Sequence, residues 1–278
     1  MTKRRRRKRK GFRISRRAKK NFGRALGWAL FALLIYLILS LTVKKPPRFF
    51  SPKILGAGPK IVFVIDDIGY TATDQNELED LGNQVTYAIL PMLRYSEHFS
   101  RLRQRTGAEV ILHLPLEAVS GTIPGPGLIT GRMEASHVLD VLNRDLLSVP
   151  GHAGVNNHMG SESTRNPALM KIILSDLKNR NLFYLDSRTA QTPVPQQIGS
   201  EIGLPVLTRD VFLDNDESQP GIREKIHELA QIARRKGYAI GIGHYRFNTL
   251  RVLKEEIPRL KKEGFAVVSL SDLAALKR

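Results

Sequence analysis

KIVFVIDDIGY, residues 60–70, sets five consecutive apolar residues, Ile61 to Ile65, in front of two acids, Asp66 and Asp67, and a glycine. A short run of Val and Ile bounded by polar and turn residues is the pattern of a strand buried on both faces, as in a parallel sheet. The same pattern recurs downstream in VTYAIL (85–90), EVILH (109–113), AGVNN (153–157), LFYLD (182–186), PVLTRDVF (205–212), AIGIG (239–243) and AVVSL (266–270). Helical stripes separate these blocks. Asn166-Pro167 supplies an N-cap and a first-turn proline, after which Leu169, Met170, Ile173, Leu174 and Leu177 share a face. Ser136 opens another helix with Val138, Val141, Leu142 and Leu146 inward; Ile222, Ile226, Leu229, Ala230 and Ala233 form a third stripe, and Leu253, Ile257 and Leu260 a fourth. Strand and helix in alternation, with seven or eight strands, predict an α/β domain over residues 60–278, a closed or nearly closed (β/α) barrel of parallel strands, with a doubly wound open sheet as the other solution.

In either architecture the functional site lies at the carboxyl ends of the strands. Those ends carry Asp66 and Asp67, His113, Asn156-Asn157-His158, Asp186, Asp210 or Asp214, and His244, whereas His98, His137, His152 and His227 fall on surface or helix-packing positions. An Asp after a strand often caps the next helix, and a single buried His is usually a hydrogen-bonding core residue. Taken jointly, Asp67, His113 and His158 make an oxygen–nitrogen–nitrogen set suited to a catalytic zinc with an open coordination position. The chain has no cysteine. A thiolate metal site, a disulfide framework and a cysteine nucleophile are therefore excluded.

The net charge of +18 is confined to one end. Residues 1–24 hold 14 Lys or Arg and no acid, and with Lys44, Lys45, Arg48 and Lys53 removed as well, 26 basic residues face 26 acidic ones from Ile54 onward. Residues 25–43, ALGWALFALLIYLILSLTV, are uncharged and as a helix would span about 28 Å, close to the thickness of a bilayer core. Ser40 to Lys44 offers no small-x-small cleavage site. The expectation is a basic cytoplasmic tail (1–24), one transmembrane signal anchor (25–43), a linker (44–59), and a domain held on the periplasmic or extracytoplasmic face of a bacterial inner membrane. The basic tail reads as an orientation signal attracted to anionic headgroups. No nucleic-acid partner is expected, and no protein partner is identifiable.

IVFVIDDIG, ILHLPLE, GVNNHMGS, YLDSRT and IGIGH, in that order, resemble the divergent polysaccharide deacetylase family, a remote branch of the NodB-type metal-dependent carbohydrate esterases. The resemblance covers about residues 60–275. It implies a distorted (β/α)7 barrel that removes acetyl groups from a glycan with a divalent metal, expected to be zinc, with Asp66 as base, Asp67 as metal ligand, His113 as the first imidazole of a His-x-x-x-His motif and His244 as the catalytic acid. Glu117 stands where that motif has its second His. By this reading His158 replaces the missing imidazole and Glu117 is an alternative ligand or a supporting group, while Asn157, Ser161 and Asp186 orient ligands or substrate. The expected substrate is an acetylated envelope polysaccharide or related glycan. Two other readings follow from the same residues: a non-catalytic glycan-binding or envelope-assembly protein on the same barrel, and a metal-free glycosidase drawing its carboxylate pair from Asp66, Glu117 and Asp186.

Overall fold

The computed structural model describes residues 58–277. The predicted tail, transmembrane anchor and most of the linker lie outside the described residues, and among the described residues no helix is long and apolar enough to cross a membrane. Among the described residues nine parallel strands alternate with eight α-helices: β1 (Lys60–Ile68), α1 (Gln75–Leu81), β2 (Thr86–Ile89), α2 (Ser96–Thr106), β3 (Glu109–Leu116), α3 (Ala135–Ser148), β4 (Gly154–Met159), α4 (Pro167–Asn179), β5 (Phe183–Asp186), α5 (Pro195–Ile202), β6 (Val206–Thr208), β7 (Val211–Phe212), α6 (Gln219–Lys236), β8 (Tyr238–His244), α7 (Phe247–Lys262), β9 (Ala266–Val267) and α8 (Leu270–Leu276).

The strands run in the order β6-β5-β4-β3-β2-β1-β8-β7, with β9 alongside the start of β1. Its two edges, β6 and β7, are separated in the chain by Arg209 and Asp210 alone. The block 205–212, expected as one strand, is thus broken in the middle: its first half pairs with β5 and its second with β8. The Arg209 N–H donates to Asp186 O and the Asp210 N–H to Ile240 O, so the bend itself is tied to both neighbours. The result is a curled parallel half-barrel whose edges meet through one bent segment.

Side-chain alternation divides the core in two. Outward residues such as Ile61, Phe63, Ile65, Leu112, Leu114 and Val155 pack under the helices, where every residue of the four predicted helical stripes is buried. Inward residues Val62, Val64, Ala88, Ile111, Phe183, Leu185, Leu207, Ile240 and Ile242 fill the curl, and Leu270, Leu273 and Ala274 of α8 plug its amino-terminal end. Glu109 holds that plug by accepting from the Leu270 and Ser271 N–H groups. Two expectations shift here. Ser136 lies inside α3, whose cap is Glu134. The block 266–270 yields a two-residue strand, because Ser269 and Asp272 form a capping box that starts α8 instead.

Candidate active site

One layer further toward the carboxyl ends, the inward positions change from apolar to polar. Val64 gives way to Asp66, Ile111 to His113, Leu185 to Ser187, Leu207 to Arg209 and Ile242 to His244, while β4 supplies Asn156 and His158. Register places Asp66 beside His244 and His113 beside Asn156. Strict alternation would turn Asp67 away from Asp66. A bulge prevents this: between Ile65 and Ile68 the pairing with β2 slips, and Asp67 takes φ 62°, a left-handed conformation that Asp tolerates better than most residues. Both adjacent carboxylates thereby reach His113: Asp66 Oδ2 lies 3.6 Å and Asp67 Oδ1 3.2 Å from its Nε2.

Asp67, His113 and His158 converge. Asp67 Oδ1 is 3.0 Å from His158 Nδ1, and His158 Nδ1 is 3.1 Å from His113 Nε2. Such separations match the edges expected around a cation with bonds of about 2.0–2.1 Å. Donor chemistry makes the same point. Asn156 Nδ2 donates to Asp66 Oδ1 at 2.9 Å, so its Oδ1, 2.8 Å from His113 Nδ1, accepts from that ring nitrogen. A neutral His113 then presents its lone pair at Nε2, directly toward the carboxylate and the second imidazole. Asp67 Oδ1 is buried yet has no hydrogen-bond partner of proper geometry. With His158 unprotonated at Nδ1, three lone-pair donors, the orphaned Asp67 oxygen among them, converge on one point, and these residues fit a divalent metal ion.

The electrostatics are consistent with that demand. Burial opposes ionisation of Asp67, but its contacts with His113 and His158 prevail and hold its carboxyl far below the usual range. Asp66, almost fully buried, moves the other way: desolvation, aided by the Asp67 charge, raises it against the pull of His113, His244 and Asn156. Burial works against protonation of His113, yet Asp66 and Asp67 raise its proton affinity overall. His244 is likewise opposed by burial and raised by Asp214, whose Oδ1 lies 2.8 Å from its Nδ1. Asp214 is buried, takes the His244 N–H and the Thr249 hydroxyl on Oδ2, and is held below its ordinary range by these contacts in spite of desolvation. Phe212 stacks on the His244 ring at 6.0 Å, with the Arg209 guanidinium 3.6 Å above the Phe212 ring.

The remaining expected residues fall outside this cluster. Glu117 Oε2 accepts from the Gly131 N–H, tying down the long loop after β3; it does not join Asp67, His113 and His158 as a ligand. Ser161 Oγ accepts from the Val119 N–H and secures the same loop. Asn157 faces outward, its amide consumed by Tyr184, Ser187, Thr189 and Met159, so it braces β4 against β5. Asp186 Oδ1 accepts from the Arg188 N–H, and burial raises its carboxyl against the pull of Arg188 and Arg209. Asp210 binds Lys236 and the Ile240 N–H, leaving Asp214 as the sixth strand's contribution to the rim. Asn156 and Asp214 stand in the strand-end set read from the sequence, but their roles as neighbours of His113 and His244 emerge only here. The period of two contained the first: if His158 points inward, Asn156 must as well, and Asn157 cannot.

The chain belongs to the divergent polysaccharide deacetylase family, which it matches over residues 63–274. It is 33% identical over 218 residues to an uncharacterized protein of Haemophilus influenzae, covering 78% of this chain and 77% of that one. It is 30% identical over 210 residues to the uncharacterized protein YibQ of Escherichia coli, covering 76% of this chain and 65% of YibQ. Among solved structures, an uncharacterized protein from Agrobacterium tumefaciens superposes with a TM-score of 0.75 at 26% identity over 78% of this chain and 89% of its own. The catalytic domain of a peptidoglycan N-acetylglucosamine deacetylase from Eubacterium rectale shares the fold, with a TM-score of 0.50 at 13% identity over 81% of this chain and 96% of that domain.

Proposed function

We propose that this protein is a metal-dependent hydrolase that removes acetyl groups from an envelope polysaccharide or related glycan. The observation that carries the reading is the convergence of Asp67, His113 and His158 around a buried, unpartnered carboxylate oxygen, with Asp66 and His244 side by side on the neighbouring strands β1 and β8. Asp67, His113 and His158 would hold the metal, and the oxygen–nitrogen–nitrogen donor set favours zinc. When bound, such an ion polarises a carbonyl and lowers the pKa of water.

The chain's own groups supply the proton traffic. Asp66 keeps Oδ1 on the Asn156 amide and accepts a proton at Oδ2 as water adds to the acetyl carbon. His244 holds a proton on Nδ1 against Asp214, so it exchanges the other at Nε2 and delivers it to the departing sugar amine or alkoxide. Asn156 orients His113 and Asp66 together, and Asp214 does the same for His244. As part of the same proposal, residues 25–43 anchor the barrel to a bacterial inner membrane with the tail cytoplasmic and the barrel outside. The run of 19 uncharged residues behind 14 basic ones supports that orientation.

The test is metal content by elemental mass spectrometry on the full chain in detergent, beside His113→Ala and Asp66→Asn, with release of acetate from acetylated glycans followed in parallel. About one zinc per chain, lost in His113→Ala and kept without turnover in Asp66→Asn, is expected. No metal after zinc is supplied would overturn the hydrolase and leave a glycan-binding or assembly role.

A further inference from the structure

The loop after β7 and the start of α7 border an open cavity of about 340 Å³ lined by Glu217, Arg246, Phe247, Asn248 and Thr249. No step of the hydrolytic reading uses it. Its floor nevertheless belongs to the site: the buried Thr249 hydroxyl donates to Asp214 Oδ2, and the other oxygen of that carboxylate holds His244. Under the assignment above, His244 protonates the leaving sugar. The cavity is therefore separated by one buried carboxylate, Asp214, from the imidazole that faces the departing part of the glycan.

Its lining has a definite chemistry. Phe247, the first residue of α7, is 44% exposed, although most large aromatic residues of the domain are buried. Facing the same space are a guanidinium and a carboxylate that already neutralise each other, Arg246 Nη1 lying 3.1 Å from Glu217 Oε1. Asn248 completes the wall and is fixed by donating to Glu217 O. An anion would meet Glu217 and find Arg246 already paired; a purely apolar ligand would strand the polar groups without water. A sugar ring offers both an apolar C–H face for the phenyl group and a fringe of hydroxyls for planar polar side chains. The volume is at the small end of ligand pockets, suited to one ring.

We propose that this cavity is a subsite for an uncharged sugar ring, the neighbour of the unit whose acetyl group is removed; this rests on the glycan reading above. The experiment is calorimetric titration of the full chain in detergent with N-acetylglucosamine and with its tetramer, for the native protein, Phe247→Ala and Phe247→Trp. The tetramer is expected to bind the native protein at least tenfold tighter than the monomer. Phe247→Ala should lose that tenfold advantage while binding the monomer within twofold of native, and Phe247→Trp should restore it. Equal tetramer affinity in native and Phe247→Ala proteins would overturn the subsite alone. Failure of the native protein to bind either sugar would overturn the glycan reading beneath it.

Discussion

Asp145→Asn should stabilise the domain, and by more at pH 7 than at pH 5. Asp145 lies on α3, fully buried, and neither carboxylate oxygen has a hydrogen-bond partner. It packs against Gly127 of the loop after β3, where an added Cβ would come within 2.4 Å of Oδ1. Desolvation, only partly offset by Arg144, pushes its carboxyl up from 3.8 to about 8. The folded protein thus keeps Asp145 neutral at pH 7, whereas the unfolded chain ionises it above 3.8. A raised folded value means that stability is greatest below 3.8 and declines as pH climbs toward 8. At about 1.36 kcal/mol per unit, the 3.2 units between 3.8 and pH 7 correspond to about 4.4 kcal/mol, and the 1.2 units at pH 5 to about 1.6 kcal/mol. The difference, about 2.7 kcal/mol, is an upper value, since relaxation of the loop would admit water to the charged form. Asparagine has the same shape and does not titrate. Chemical denaturation of both proteins at pH 5 and pH 7 should show the variant's advantage growing by about 1–3 kcal/mol across that interval. Parallel pH dependences would refute the assignment of a buried, neutral Asp145.

Three further outcomes are expected. Asn156→Leu removes the partner of both His113 Nδ1 and Asp66 Oδ1, and zinc affinity measured by chelator competition should fall about 10–100-fold. Asp214→Asn leaves the three metal-site residues untouched but weakens the support of His244; metal content should stay at the native level while turnover drops at least tenfold. Leu174→Ala on α4 empties a fully buried position under the helical layer and should cost about 2–5 kcal/mol in denaturant unfolding, with the metal still bound.

Much of this architecture is written in local pattern. Runs of Val and Ile locate the strands because a strand buried on both faces has no polar side to show, and the stripe Leu169, Met170, Ile173, Leu174 and Leu177 locates α4 because a helix against a sheet hides one face every 3.6 residues. Asn166 caps α4 through its side chain, as its position before Pro167 predicts. The polar residues at strand ends were visible for the same reason: each interrupts an apolar run where the inward column leaves the core.

What the sequence determined by itself was the alternation of strands and helices and the set of strand-end acids and imidazoles, since both depend on short-range periodicity. Tertiary structure decided which of those side chains meet. The bulge that turns Asp66 and Asp67 to one side exists only through pairing with β2, and the break at Arg209-Asp210 only through competition between β5 and β8 for one segment. Asn156, rather than Asn157, became the neighbour of His113 because inward and outward are defined by the curl of the sheet. Asp214 and His244, thirty residues apart, are a pair because β7 lies against β8. Contacts between distant strands depend on register and closure, which no local pattern specifies.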